Sequence, residues 1–118
     1  MKYMLLICRD EPVWERLSRA ERQQIFAESR ELADELTARG QYLGGHPLHP
    51  SSSATSVRVR DGKRLVTDGP FAETREQLGG YMLIDVENLD EAIAFAARGP
   101  LARVGTIEIR PVREGPPA

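Results

Sequence analysis

Residues 3–8, Tyr-Met-Leu-Leu-Ile-Cys, form an apolar run with nothing polar inside it, and no other feature limits the fold as much. The run is far too short to cross a bilayer, which takes about 20 apolar residues. It also lacks the layout of a cleavable secretory signal. A strand with one wet face alternates apolar and polar residues, so an unbroken run suits a strand covered on both faces at the centre of a sheet. The rest of the chain must supply that cover.

Helices can cover one side. Ser18-Arg-Ala-Glu21 has the spacing of a capping box. Ile25, Ser29, Leu32, Ala33 and Leu36 then recur at helical intervals, Glu28, Arg30, Glu31, Asp34 and Glu35 fill the opposite face, and Gly40 offers a left-handed stop. Upstream, residues 10–14 read as a loop, with Trp14 packed over the helix start. Gln41 to Gly45 gives a short second strand, after which Pro47 and Pro50 end regular structure because proline lacks an N–H donor.

Thr55 to Arg60 and Lys63 to Thr67 flank Asp61-Gly62, a preferred two-residue hairpin turn. Polar residues 72–77 are long enough for one helical turn, and Gly79-Gly80 opens an apolar strand over 81–86. Asn88 and Glu91 repeat the capping spacing ahead of a small-residue stripe, Leu89, Ala92, Ile93, Ala96 and Ala97, which Gly99-Pro100 ends. Residues 106–112 alternate Ile107 and Ile109 with Glu108 and Arg110, as an edge strand or one with a wet face would.

Strand-helix-strand, hairpin, strand-helix-strand is a duplicated β-α-β plan. It predicts an α+β fold: a ferredoxin-like antiparallel sheet with two helices on one face and an inserted β-hairpin. Such a sheet leaves its other apolar face in water, so a second copy is expected to cover it and make a homodimer with sheets face to face.

Composition narrows the function classes. A chain of 118 residues supports one domain, expected here over 1–112 with a tail at 113–118. Sixteen Lys+Arg against 18 Asp+Glu give a net charge of -2, without the basic excess of a protein that binds nucleic acid directly. Cys8 is the single cysteine and cannot form an intrachain disulfide, which with the missing membrane segment points to a cytoplasmic protein. Gly44-Gly45 and Gly79-Gly80 are isolated pairs, not a phosphate-cradling loop, and no cofactor is expected.

Several blocks carry a family resemblance: residues 1–7 (MKYMLLI), 57–62 (VRVRDG), 67–81 (TDGPFAETREQLGGY), 83–85 (LID) and 108–112 (EIRPV). Together they resemble the DGPF branch of the YCII-related family, over residues 1 to about 112. The resemblance implies a ferredoxin-like dimeric α/β-barrel in a family of largely unknown activity. Some relatives are fused to sigma-factor-type regions, and one YCII-related branch contains a dechlorinating enzyme acting on a hydroxylated aromatic. The wider family's His/Asp pair has its His on the first helix, whereas this chain has no His between Trp14 and Gly40, and Ser29 stands near that position. The pair does not carry over; Asp68, Gly69, Pro70 and Phe71 do.

The residues leave these candidates. Asp68, beside a glycine and a turn-fixing proline, is either a general base at a cleft or a turn cap. His46 and His49 lie in the Pro-rich loop, where one of them near Asp68 would make a proton-transfer pair. Solvated histidines are the other reading; a metal site lacks an evident third ligand, and none is expected. Arg9 is either an anion stabiliser or one half of a surface ion pair with Asp10. Cys8 has no basic neighbour within its run, which favours an inert thiol.

Asp68 and His46 are thus the candidate catalytic residues, with Arg9, Tyr42, His49, Gly69, Pro70, Phe71 and Tyr81 binding a small organic ligand. The expected protein is a small-molecule-binding homodimer, a cofactor-free lyase or isomerase working by proton transfer. The alternative is a non-catalytic regulatory module acting with a sigma factor in transcription initiation.

Overall fold

The structure, a computed structural model, describes residues 1–116; the last two residues of the expected tail, 117 and 118, lie outside the described residues. The chain runs β1 (Lys2–Arg9), α1 (Glu11–Arg16), α2 (Arg19–Ala38), β2 (Tyr42–Pro47), β3 (Thr55–Arg60), β4 (Lys63–Asp68), β5 (Gln77–Asp85), α3 (Leu89–Arg98), α4 (Leu101–Val104) and β6 (Thr106–Pro111), with a 3-10 turn at Ser51–Ser53. Four strands pair in the order β2-β5-β1-β6, each neighbour antiparallel, while β3 and β4 form a separate two-stranded ribbon. The fold is α+β with the strand order of a ferredoxin-like sheet, plus the hairpin.

The apolar run is central in the sheet, as expected, but within the chain it is covered on one face only. Tyr3, Leu5 and Ile7 are buried, while Met4, Leu6 and Cys8 between them are half-buried. The buried set meets Ile84 and Val86, and α2 and α3 close over it with Leu36, Ala92 and Phe95. Burying such a side chain stabilises by roughly 1.5–3 kcal/mol, so truncating Leu5 to Ala, which leaves a hole as well, costs about 2–5 kcal/mol.

Both long helices begin where their caps predict. Ser18 Oγ accepts from the Glu21 N–H at 3.0 Å and Glu21 returns the bond to the Ser18 N–H at 3.1 Å. At α3 only half of the box forms: Asn88 accepts from the Glu91 N–H, whereas Glu91 reaches the Glu87 N–H. The hairpin turn is as read, with Asp61 at φ 52° and Gly62 at φ 73°, both in the left-handed region that matches strand twist.

Four local expectations are corrected. His46 and Pro47, expected in the Pro-rich loop, continue β2, which pairs with β5 as far as Pro47↔Gly80 at the edge of the sheet, where a proline's missing donor is tolerated. Residues 11–16 are helix, not loop, because Asp10 caps the Val13 N–H and Pro12 sits in the first turn, where its missing donor costs nothing. Residues 72–76 form bends instead of a helical turn, and β5 starts at Gln77; the Gln77 amide donates to the Ala72 and Thr74 carbonyls, taking acceptors a helix would have used. A further turn of helix, α4, follows Gly99, with Pro100 at its start.

Candidate functional site

A cleft of about 650 Å³ opens between α2 and the helix-covered side of β2 and β5. Tyr42, Gly45 and Pro47 line it from β2, Gly79, Gly80 and Met82 from β5, and Phe26, Ser29, Arg30, Asp34 and Thr37 from α2. A second cleft of about 400 Å³ lies between α1, the start of α2 and the 47–50 loop, with Trp14, Arg19, Arg22 and His49 on its walls. Arg9, Phe26 and Pro47 belong to both and form the waist between them.

Arg9 is the unusual member. It ends the central strand and is only 9% exposed. Its guanidinium donates to the Gly79 carbonyl at 3.3 Å and lies 4.2 Å from the centre of the Trp14 ring, which in turn meets Phe26 edge-on at 5.6 Å. Among the described residues no carboxylate pairs with it: Asp10 bonds Arg75 at 3.5 Å and the Val13 N–H, and Glu11 is held by the Ser51 N–H and hydroxyl. The surface ion pair Arg9–Asp10 therefore does not form. Burial pulls the Arg9 pKa below its ordinary value, with Glu11 opposing; an arginine nonetheless stays charged, with five donors to satisfy.

Gly79 makes this possible. A Cβ on it would stand 2.5 Å from Arg9 Nε and 2.7 Å from Cζ, so only glycine leaves the guanidinium its place. The residue sits where the β1–β5 register shifts between Ile7↔Gly80 and Cys8↔Leu78, a bulge that presents the backbone to a neighbour's side chain.

Tyr42 supplies a second polar group. Its ring packs on the core, its hydroxyl lies over Gly45, where a Cβ would come within 2.8 Å of it, and no described residue bonds that hydroxyl. Burial first, and Tyr81 second, push its pKa up, so the phenol stays protonated at neutral pH. Ser29 also lines the cleft, but its hydroxyl is spent on the Ile25 carbonyl at 2.9 Å.

Of the residues singled out from sequence, the structure brings Arg9 and Tyr42 into the larger cleft and His49 to the smaller, while His46 and Tyr81 border the larger cleft from strands whose register turns both side chains to the uncovered face, with Leu6. His46 pairs with Tyr81 across β2 and β5, their rings edge-on at 5.9 Å. Asp68 is elsewhere. It ends β4 opposite Thr55, exposed, and none of the described residues bonds its carboxylate. Gly69, at φ 100°, extends the hairpin through its N–H to the Ala54 carbonyl, and Phe71 is 80% exposed. Neither cleft touches this segment within the protomer.

The sequence reading missed Ser29, Arg30, Asp34 and Thr37 as cleft residues, having placed Arg30 and Asp34 on a solvated face. Their three- and four-residue spacing was the available signal: Arg30, Asp34 and Thr37 follow one edge of the apolar stripe, the edge that borders the cleft. Among the described residues no three His, Cys, Asp or Glu side chains gather in a metal-ligating group, and no helix is long and apolar enough to cross a membrane.

Fold and site together define a small α+β protein with an unpaired, buried guanidinium between two clefts. Comparison with known proteins gives it a family: the chain belongs to the YCII-related domain family, whose model matches residues 1–115. It is 35% identical over 114 residues to an uncharacterized protein of Rhizobium meliloti (strain 1021), covering 95% of this chain and 92% of that one. Among solved structures it is similar to the 5-chloro-2-hydroxyhydroquinone dehydrochlorinase of Burkholderia phenoliruptrix AC1100, in complex with 2,5-dihydroxybenzoquinone. That likeness has a TM-score of 0.57 over 98% of this chain and 96% of the other, at 13% identity, and so concerns the fold.

Proposed function

We propose that this protein is a small-molecule-binding homodimer of the DGPF branch, whose larger cleft takes a planar organic anion, and that its chemistry is cofactor-free proton transfer of the lyase or isomerase kind. The observation that carries the reading is Arg9: a guanidinium nine-tenths buried, facing two clefts, with no carboxylate partner among the described residues. A buried cation without a counter-ion is costly, and an entering carboxylate or phenolate relieves that cost through charge-assisted bonds worth about 1.5–3 kcal/mol. Phe26, which lines the larger cleft, offers an aromatic surface to a flat ring.

His46 and Asp68 are the acid/base candidates of this reading, although the His46 ring packs on Tyr81 on the uncovered face of the sheet, with only its strand bordering the cleft. Asp68 lies outside both clefts of its own protomer, so it takes part only where the hairpin of a second copy reaches the cleft. The second reading, a regulatory module partnered by a sigma factor, draws on the committed hydroxyl of Ser29, which leaves the α2 wall without a proton carrier at that position.

The test is calorimetric titration with 2,5-dihydroxybenzoquinone, the ligand of the structural relative, and with benzoate. Saturable binding that falls about tenfold or more in Arg9→Met is expected, equivalent to about 1.4 kcal/mol. Absence of saturable binding to either compound overturns the reading. Binding without turnover of any offered hydroxylated aromatic, together with recovery of a sigma factor in a pull-down, would favour the regulatory alternative.

A further inference from the structure

The smaller cleft shows how Arg9 comes to lack a partner from its own chain. Glu11 follows Arg9 by two residues, half-buried, on the wall of the same cleft, and its charge opposes the fall that burial imposes on the Arg9 pKa. It is the carboxylate placed to be a counter-ion, and it is spent elsewhere. One of its oxygens accepts from the Ser51 N–H at 2.7 Å and the other from the Ser51 hydroxyl. Ser51 is itself fixed: it opens the 3-10 turn Ser51–Ser53 behind Pro50, and its carbonyl accepts from the Ala54 N–H at 3.0 Å. The 47–50 loop leading to it is tied to the same Gly79 carbonyl that Arg9 uses, through the Leu48 N–H at 2.9 Å.

Resting on the proposed function above, we infer that Ser51 is a positioning residue for that site: by taking both oxygens of Glu11 it keeps this carboxylate from becoming the counter-ion of Arg9 and leaves the guanidinium to an incoming anion. The two compete for one cation. A carboxylate on the same chain acts at a high effective concentration, so a released Glu11 would displace a weakly held external anion. Two charge-assisted bonds from Ser51, stronger than bonds between neutral groups, take Glu11 out of that competition. Its charge still eases the burial of Arg9 through space, while the guanidinium's fork of donors is left for a ligand. The serine touches neither Arg9 nor the anion; it acts through Glu11.

The test is the benzoate affinity of the full chain, read by quenching of Trp14, the single tryptophan, which lies against Arg9. Glu11→Gln keeps an acceptor for Ser51 but removes the charge, and is expected to bind benzoate about two- to fivefold more tightly, the worth of one partly exposed ion pair. Ser51→Ala releases one oxygen of Glu11 with the charge intact and should weaken binding by a similar factor. In the Glu11→Gln background Ser51→Ala should change nothing. A serine that only braced the loop would move both single variants in the same direction. That result overturns the inference, as does a Ser51→Ala variant with parental affinity, or a loss that persists once the Glu11 charge is gone. Each of these leaves the Arg9 reading standing, whereas absence of saturable benzoate binding by the parent protein overturns both. Glu11→Gln decides the matter by itself if Ser51→Ala folds poorly: an affinity equal to or below the parent's refutes the role of Ser51.

Discussion

At the scale of single residues, the site depends on glycines as much as on side chains that carry chemistry. Three glycines are closely approached, and what approaches them differs. At Gly45 a Cβ would meet the Tyr81 carbonyl at 2.5 Å, and at Gly105 it would run into the Cys8 carbonyl; both neighbours are backbone of the sheet and cannot yield. At Gly79 the neighbour is the far end of a flexible arginine. Gly79→Ala is therefore expected to expel the Arg9 guanidinium and spare the fold: a melting temperature within a few degrees of the parent, a shift corresponding to about 1 kcal/mol or less, with benzoate binding reduced as far as in Arg9→Met. Thermal denaturation and titration of the same sample check it, and unchanged binding would refute the account of how Arg9 is held. This part of the site was half legible. Arg9 is visible in the sequence as a cation ending a buried strand, but the reason for Gly79 is a contact between residues 70 positions apart, which no local pattern reports.

At the scale of elements, α2 matters most because it forms a wall of the larger cleft, and its start is set by reciprocal bonds between Ser18 and Glu21. Ser18→Ala should cost about 1 kcal/mol of stability. The box also has a pH signature. The bond from the Ser18 backbone, and then that from its hydroxyl, hold the Glu21 carboxyl below its ordinary pKa. A depressed carboxyl stabilises the fold fully above its unfolded pKa, about 4.3, and that contribution fades as pH falls through the lower folded value. Urea melts of the parent and Glu21→Gln should therefore differ at pH 7 and converge below pH ~4; a constant gap down to pH ~3 would contradict the assignment. This helix was readable because its signals lie within a few residues of one another. Residues 11–16 were not, since Pro12 reads as a breaker unless Asp10 is recognised as the cap that puts the proline in a first turn. Residues 72–76 misled for the opposite reason: their composition suits a helix, and the Gln77 amide, bonding back to Ala72 and Thr74, prevents one.

At the scale of the whole molecule, the single chain is more spread out than a compact domain of its length. Its radius of gyration is 16.2 Å, against about 13.5 Å for a compact domain of this length, and one principal extent is only 19 Å. The register explains the excess. On the uncovered face of the sheet Met4 and Leu6 of β1 lie beside Leu83 and Tyr81 of β5, half-buried, with the Glu108–Arg110 ion pair at the β6 edge. On the hairpin the register Val57↔Val66 and Val59↔Arg64 gathers three valines, each about 60% exposed, on one side, while Arg58, Arg60 and Lys63 take the other. A two-stranded ribbon is marginal in water by itself, and this one carries an apolar face with nothing from its own chain against it.

The unbroken apolar run 3–8 already required cover on both faces of β1; α2 and α3 supply one, and the proposed homodimer supplies the other. Light scattering at micromolar concentration should accordingly give twice 13.2 kDa, with a melting temperature that rises with protein concentration, as for any fold stabilised by association. Leu6→Lys and Val66→Lys separate the two surfaces. A charge at Leu6 would be desolvated only if the sheets pack together, and a charge at Val66 only if the hairpin lies on the partner. Dissociation by both variants means that each hairpin embraces the second copy, the arrangement in which Asp68 could approach the other subunit's cleft. Dissociation by Leu6→Lys alone leaves the hairpin free and Asp68 without a part in the chemistry. A monomeric mass for the parent protein removes the dimer, and with it the acid/base assignment of Asp68.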